Sequence, residues 1–342
     1  MKTTILGMLT GASLLALAAG AQAQGQLNLY CSNQIDPCNA AATEFTKATG
    51  IRVNLTQKSS GEMLAQIRAE KDNPRGDIWY AGTGDPHLVA AEENITQPYE
   101  SPNLAKVHPW AKRQWEASGK RSAGVYSGAL GFGVNKEIFA KKNLPMPACW
   151  ADLTKPVYKG EIQMANPNSS GTAYTMVATM VQIMGEEKAF DYMKALHPNI
   201  NSYTRSGSAP IKAAGRGETG MAIVFLHDVA TEMNAGFPLE MVAPCEGTGY
   251  EIGSISMVRG ARNAEQARKF YDWALTADAQ KLYYSGGKSF QTPSAIDAPL
   301  PPGAPDITKI KLIDYDFVKY GKAEERRRLL QRWDREVGGL PK

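Results

Sequence analysis

The chain has 342 residues, with 38 Lys and Arg against 34 Asp and Glu and a formal net charge of +4. So balanced a charge gives no electrostatic case for nucleic acid or an anionic membrane surface as partner. The length exceeds what one hydrophobic core comfortably serves and implies two lobes.

In chain order, the first feature is a short basic start at Lys2, followed by an uncharged apolar run over residues 5–19 and the small-x-small pattern Ala21-Gln22-Ala23. The run falls short of the ~20 residues that span a bilayer, and no basic stop signal follows. Residues 1–23 are therefore expected to be a cleaved signal peptide, with Gln24 as the mature start and an exported product. The four cysteines, Cys31, Cys38, Cys149 and Cys245, suit an oxidising compartment as two disulfides. Cys31 and Cys38 close a short loop, and by elimination Cys149 pairs with Cys245. No CxxC pair and no histidine at ligand spacing supports a zinc site instead.

Residues 27–30 read as a strand, and 40–49 as a helix stopped by Gly50 in the manner of a C′ glycine. Residues 51–55 alternate apolar and polar at period two, a second strand. Ser59-Ser60-Gly61-Glu62 has the form of a capping box opening a helix with Met63, Leu64 and Ile67 on one face. Residues 77–80 form a third strand, broken by Gly82-Thr83-Gly84-Asp85 before a helix at 86–93. The pattern then restarts: a strand at 161–164, and a helix after Ser169-Ser170-Gly171-Thr172 with Met176, Met180 and Met184 as a core stripe. A strand ending near Tyr203-Thr204 leads through Ser206-Gly207-Ser208 to a helix start at Pro210. Residues 221–225 form a strand ending at His227-Asp228, 252–258 another, and 264–275 an amphipathic helix. The basic run Arg326-Arg327-Arg328 falls in a helical stretch, 323–336, and reads as a solvated face. Alternating strands and helices, arranged twice, predict an α/β fold of two lobes, each a doubly wound, mostly parallel sheet. Ligands of such sheets sit beyond the carboxyl ends of the strands.

Four hydroxyl-rich turns stand at those ends: Ser32-Asn33, Ser59-Ser60-Gly61, Ser169-Ser170-Gly171-Thr172 and Ser206-Gly207-Ser208. Free amides at a helix N-terminus with nearby hydroxyls hold an anion without Arg or Lys. A serine in such a turn can equally do no more than cap its own helix, worth ~1 kcal/mol. His227, Asp228 and Glu251 form a second group, able to hydrogen-bond sugar hydroxyls or hold an ammonium or a metal. Catalysis finds no support: there is no GxSxG elbow, no HExxH and no Walker A loop.

From Leu27 onward the chain resembles bacterial periplasmic binding proteins of the iron(III)/sugar-phosphate group, within the type 2 solute-binding class. The resemblance rests on Leu-Asn-Leu-Tyr-Cys-Ser (27–32), Asp-Ile-Trp-Tyr-Ala-Gly-Thr-Gly-Asp (77–85), Gly-Phe-Gly-Val-Asn (131–135), the stretch 147–153, Asn-Pro-Asn-Ser-Ser-Gly-Thr-Ala-Tyr-Thr (166–175) and Glu-Gly-Thr-Gly-Tyr-Glu-Ile-Gly (246–253). It implies one lobe from 24–133 and 247–342, a second at 134–246, and two hinge strands. It further implies a monomer that serves a permease and ATPase in the inner membrane, with no cofactor. Ferric-ion members supply neighbouring tyrosines where this chain has Tyr203-Thr204-Arg205, so the resemblance points away from iron. His227, Asp228 and Glu251 look like the sugar-contacting residues of hexose-phosphate binders. The expected ligand is a phosphorylated small molecule, preferably a sugar phosphate, with aminoethylphosphonate and ferric ion as alternatives and a phosphoester hydrolase as the rival from another class. Ser32, Ser60, Ser169, Thr172 and Ser208 are expected to donate to the phosphate, with Thr83 and Ser206 as further ligand-binding residues and Asp85 beside His227, Asp228 and Glu251.

Overall fold

The computed structural model describes residues 25–341, so the expected signal peptide lies outside the described residues. Strand β1 (Gln26–Cys31) buries Leu27, Leu29 and Cys31 completely. Helix α1 (Ile35–Thr49) begins five residues before the expected start, because Pro37 occupies its first turn, where a missing N–H costs nothing. It ends at Gly50, whose φ of 71° is the left-handed cap the sequence called for. β2 (Arg52–Gln57), α2 (Ser60–Ala69), β3 (Ile78–Tyr80), α3 (Gly84–Glu92), β4 (Thr96–Gln97) and α4 (Pro109–Ala117) complete the first unit.

The next strand, β5 (Ala123–Asn135), is thirteen residues long and buried throughout. After α5 (Lys136–Lys142) come β6 (Ile162–Ala165), α6 (Gly171–Met184), α7 (Glu186–Leu196), β7 (Ile200–Thr204), α8 (Ala209–Gly215), β8 (Met221–Phe225), α9 (Leu226–Asn234) and β9 (Leu239–Val242). The chain returns through β10 (Tyr250–Val258), α10 (Ala264–Ala274), α11 (Ala277–Ser285) and β11 (Thr292–Pro293), and ends in α12 (Phe317–Tyr320) and α13 (Ala323–Trp333).

The main strand order is β2-β1-β3-β10-β5-β8-β6-β7. β1 runs parallel to β2 and β3, and β6 parallel to β7 and β8, giving each lobe a parallel flank. The join between lobes is antiparallel. β5 pairs with β10 from Ala123 to Ala129 and with β8 from Leu130 to Val134, so one strand belongs to both lobes. This is the two-lobed α/β architecture expected from the alternating elements. Met176 and Met180 are buried in the second core, with Met184 packed against it.

Three local details differ from expectation, each for a physical reason. Ser59 precedes α2 but its hydroxyl makes no cap; it donates to Arg205 O at 3.1 Å, and Glu62 pairs with Arg205 instead of closing a capping box. The basic run is split: Arg327 and Arg328 are exposed, whereas Arg326 is buried on the same helical stripe as Leu329 and Trp333. Finally, the far end of the 247–342 segment packs on the second core. Tyr315, Tyr320, Leu329, Trp333 and Val337 belong to that cluster, and Arg328 and Arg332 tie α13 to Glu186 at the start of α7.

Both cysteine pairs are bonded, Cys31 to Cys38 and Cys149 to Cys245. Among the described residues, no helix is long and apolar enough to cross a membrane.

Candidate functional site

The cleft between the lobes is narrow, with a cavity volume of about 50 Å³. Each wall is built from a strand end that turns directly into a helix, so side chains and first-turn amides face the same space. Ser32 follows β1, Ser60 opens α2, Thr83 precedes α3, Thr172 lies in the first turn of α6, and Ser206 and Ser208 precede α8. His227 and Asp228 sit in the first turn of α9, and Glu251 near the start of β10. All of these line one cavity.

Two expected residues do not. Ser169 turns away, donating to Arg205 O at 2.9 Å, and its neighbour Ser170 lines the cleft as the N-cap of α6. Asp85 is buried in the first turn of α3, where Tyr315 Oη approaches its carboxyl at 3.4 Å and Thr175 Oγ1 at 3.5 Å. Asn33, Gln34, Gln57, Tyr126, Phe225 and Gln291 line the cavity without having been expected as ligand residues.

The hydroxyls share a polarity set by what they already accept. Ser32 Oγ receives the indole N–H of Trp79 at 2.9 Å, and Ser60 Oγ the amide of Thr83 at 3.2 Å. Ser170 Oγ receives the amide of Ala173 at 3.4 Å. A hydroxyl whose oxygen is engaged this way keeps its own proton to donate. Thr83 Oγ1 is buried with no partner of its own. The first amides of α2 and α6 have no acceptor within their helices. Among the described residues no Lys or Arg lines the cavity; of the two cations that adjoin lining residues in sequence, Arg205 is held by Glu62 and Lys58 is exposed. This end is a donor-rich, cation-free pocket suited to an anion.

The other end is a mixed donor and acceptor surface. His227 stacks on Phe225, with ring centroids 5.4 Å apart, and Gly128 beneath it has no room for a side chain, since a Cβ would stand 2.2 Å from Nδ1. His227 Nε2 lies 3.6 Å from both Asp228 Oδ1 and Glu251 Oε1, and 3.4 Å from Gln291 Nε2. Gln291 Oε1 accepts from Ser289 and Asn33, which turns its amide nitrogen toward the ring, and Nδ1 on the far side of the ring is buried with no partner. Burial holds the His227 pKa below its ordinary value against the opposing pull of Asp228. Burial also pushes Glu251 well above the usual carboxylate range, with Asp228 and Asp85 adding to the effect. Both shifts favour uncharged forms, an imidazole and a carboxylic acid, so the short distances here are polar contacts rather than ion pairs.

The lobes touch across the cleft. Gly61 N–H donates to Ser169 O at 3.0 Å, and Gln34 Nε2 to Asp228 Oδ1 at 2.6 Å. Tyr203, the residue in the position of the iron-binding tyrosines, is not at the cleft. It packs edge-on to Trp333, its hydroxyl 2.9 Å from His197 Nδ1, and burial pushes its phenol up.

Fold and site together define a bacterial extracellular solute-binding protein, and the chain belongs to that family, whose model matches residues 81–320. Among solved structures it is similar to the periplasmic binding protein AfuA of Actinobacillus pleuropneumoniae with exogenous fructose-6-phosphate bound. The identity is 46%, the TM-score 0.89, and the match covers 92% of this chain and 99% of that one. It is also similar to the periplasmic binding protein P5PA, at 39% identity, TM-score 0.89 and the same coverage. An uncharacterized protein of Haemophilus influenzae is 43% identical over 324 residues, 94% of each chain.

Proposed function

We propose that this protein is the periplasmic solute-binding component of an ABC importer, that its ligand is a sugar phosphate held in the interlobe cleft, and that it catalyses no reaction. The carrying observation is the division of the cleft. At one end, hydroxyls with free protons and helix N-termini converge without a cation. At the other, His227, Asp228, Glu251, Gln34 and Gln291 offer donors and acceptors to a polyol. The likeness to a protein with fructose-6-phosphate bound supports the same reading. Ser32, Ser60, Thr83, Ser170, Thr172, Ser206 and Ser208 hold the phosphate; His227, Asp228 and Glu251 read the hydroxyls. Burial pushes Glu251 toward its protonated form, which makes it a readier partner for a hydroxyl than for an ammonium. Closure about β5 and β10 brings both sets of contacts onto the ligand and presents the closed form to the permease. Residues 1–23 direct export and are removed, and the mature chain acts as a monomer.

Calorimetry tests the division. Thr172→Ala removes a hydrogen bond to a charged group and weakens fructose 6-phosphate and glycerol 3-phosphate alike, by about ten- to a hundredfold. Asp228→Ala weakens fructose 6-phosphate far more than glycerol 3-phosphate. If Asp228→Ala instead spares fructose 6-phosphate and abolishes 2-aminoethylphosphonate binding, Asp228 is an ammonium partner and the sugar-phosphate reading fails.

A further inference from the structure

A second groove lies outside the cleft, in the seam where α2 faces α13. Its cavity volume is about 560 Å³, and its charged lining comprises Arg68, Lys71, Glu93, Arg326, Arg327 and Asp334. The two carboxylates are already committed. Glu93 takes both prongs of the Arg68 guanidinium, at 2.6 Å each, and Asp334 accepts from Asn168 at 2.7 Å. Lys71, Arg326 and Arg327 have no ion-pair partner within 4.0 Å among the described residues. Four cations against two carboxylates leave the groove with an excess of two positive charges.

Arg326 makes this more than a charged surface. It is only 4% exposed, its guanidinium lies 4.1 Å over the ring of Tyr174, and its Nη1 has no hydrogen-bond partner. The Asp85 carboxyl exerts a field on Arg326, but no hydrogen bond joins them. A buried cationic donor left unpaired is costly, and natural proteins keep one where something supplies an acceptor. On the stripe it shares with Leu329 and Trp333, Arg326 gains the Tyr174 ring and the field of Asp85, but neither accepts a hydrogen bond from Nη1.

We propose that this seam is a second anion-binding site, separate from the cleft, which takes a small oxyanion of two or more negative charges. Arg326 donates from the buried wall, Lys71 and Arg327 close over the anion from the rim, and Asn168 lies at the edge. The site joins elements of both lobes. Lys71 follows α2 of the first lobe, whereas α13 is packed on the second core and Asn168 belongs to the loop before α6. An anion in the seam therefore bridges the lobes in their closed arrangement and favours it over an open one.

Pyrophosphate is a suitable probe, titrated calorimetrically at constant ionic strength. Lys71 and Arg327 are exposed, so the double variant Lys71→Gln/Arg327→Gln leaves the core intact. It is expected to weaken pyrophosphate binding by about tenfold or more. Ser60→Ala/Thr172→Ala, which removes donors from the cleft, is expected to leave that binding unchanged. The proposal is overturned if the wild-type protein shows no such binding at millimolar pyrophosphate, if the seam variant binds as the wild type does, or if the cleft variant alone abolishes it. Since the seam and cleft variants are read separately, loss of the sugar-phosphate reading leaves this test intact.

Discussion

Gly61 offers a way to hinder closure without touching the ligand. It is the second residue of α2, in ordinary helical backbone, yet a Cβ there would stand 2.5 Å from Asn168 O and 2.7 Å from Ser169 O on the opposite lobe. These are backbone atoms, which cannot rotate aside. To restore an ordinary 3.4 Å contact the lobes must part locally by about 0.9 Å. That lengthens the Gly61 N–Ser169 O bond, now 3.0 Å, and the Ser59 Oγ–Arg205 O bond, now 3.1 Å. Two neutral hydrogen bonds are worth about 2 kcal/mol together, so Gly61→Ala is expected to lower ligand affinity roughly thirtyfold. Within α2 itself the change from glycine to alanine is favourable by about 0.5–1 kcal/mol. The ligand-free variant should therefore melt no lower than the wild type. Calorimetry with fructose 6-phosphate and thermal melts of the ligand-free proteins check both halves. Unchanged affinity would refute the role given to closure, and a lower ligand-free melting temperature would show that the fold, not closure, had been damaged.

Asp85 supplies a pH test. Burial raises its pKa from 3.8 to about 6, against the opposing Arg326 charge and the Tyr315 and Thr175 hydroxyls. Between those values the folded state holds a proton that the unfolded state has released, so the Asp85 contribution falls as pH rises from about 4 to about 6, by ~3 kcal/mol in all. Asp85→Asn should remove that slope from ligand-free melts, and parallel wild-type and variant curves would contradict it. Ferric citrate should neither colour the protein nor raise its melting temperature, because Tyr203 lies beneath Trp333; a phenolate charge-transfer band would overturn this. Urea melts should show Cys149→Ser/Cys245→Ser losing more stability than Cys31→Ser/Cys38→Ser, within roughly 2–4 kcal/mol, because the sequence separations are 96 and 7. Equal losses would count against the loop-closure argument.

The sequence carried most of the first-turn chemistry, because hydroxyls at strand-to-helix turns are forced toward a common face by the α/β layout. It misjudged residues whose placement depends on distant partners. Ser169 and Ser170 are equivalent in a linear reading, yet the turn made by Asn166 fixes the start of α6 and lets only Ser170 cap it and face the cleft. Asp85 follows the glycine-rich turn as a ligand residue would, but the C-terminal segment brings Tyr315 to it. Gln291 is a lone glutamine in a loop, brought to His227 by the pairing of β11 with β5. Tyr126 lies on a strand whose length was not apparent, because four glycines at 124, 128, 131 and 133 interrupt its apolar pattern. The burial of Arg326 was hidden by its two exposed neighbours, although its spacing from Leu329 and Trp333 marked the inward stripe.

The central claim is that the cleft holds a phosphorylated polyol, and the most direct measurement is native mass spectrometry of protein gently purified from the periplasm. One bound ligand per chain is expected, released on denaturation as a sugar phosphate with the phosphate fragment ion. A ferric ion, or an unphosphorylated organic ligand in stoichiometric amount, would contradict it.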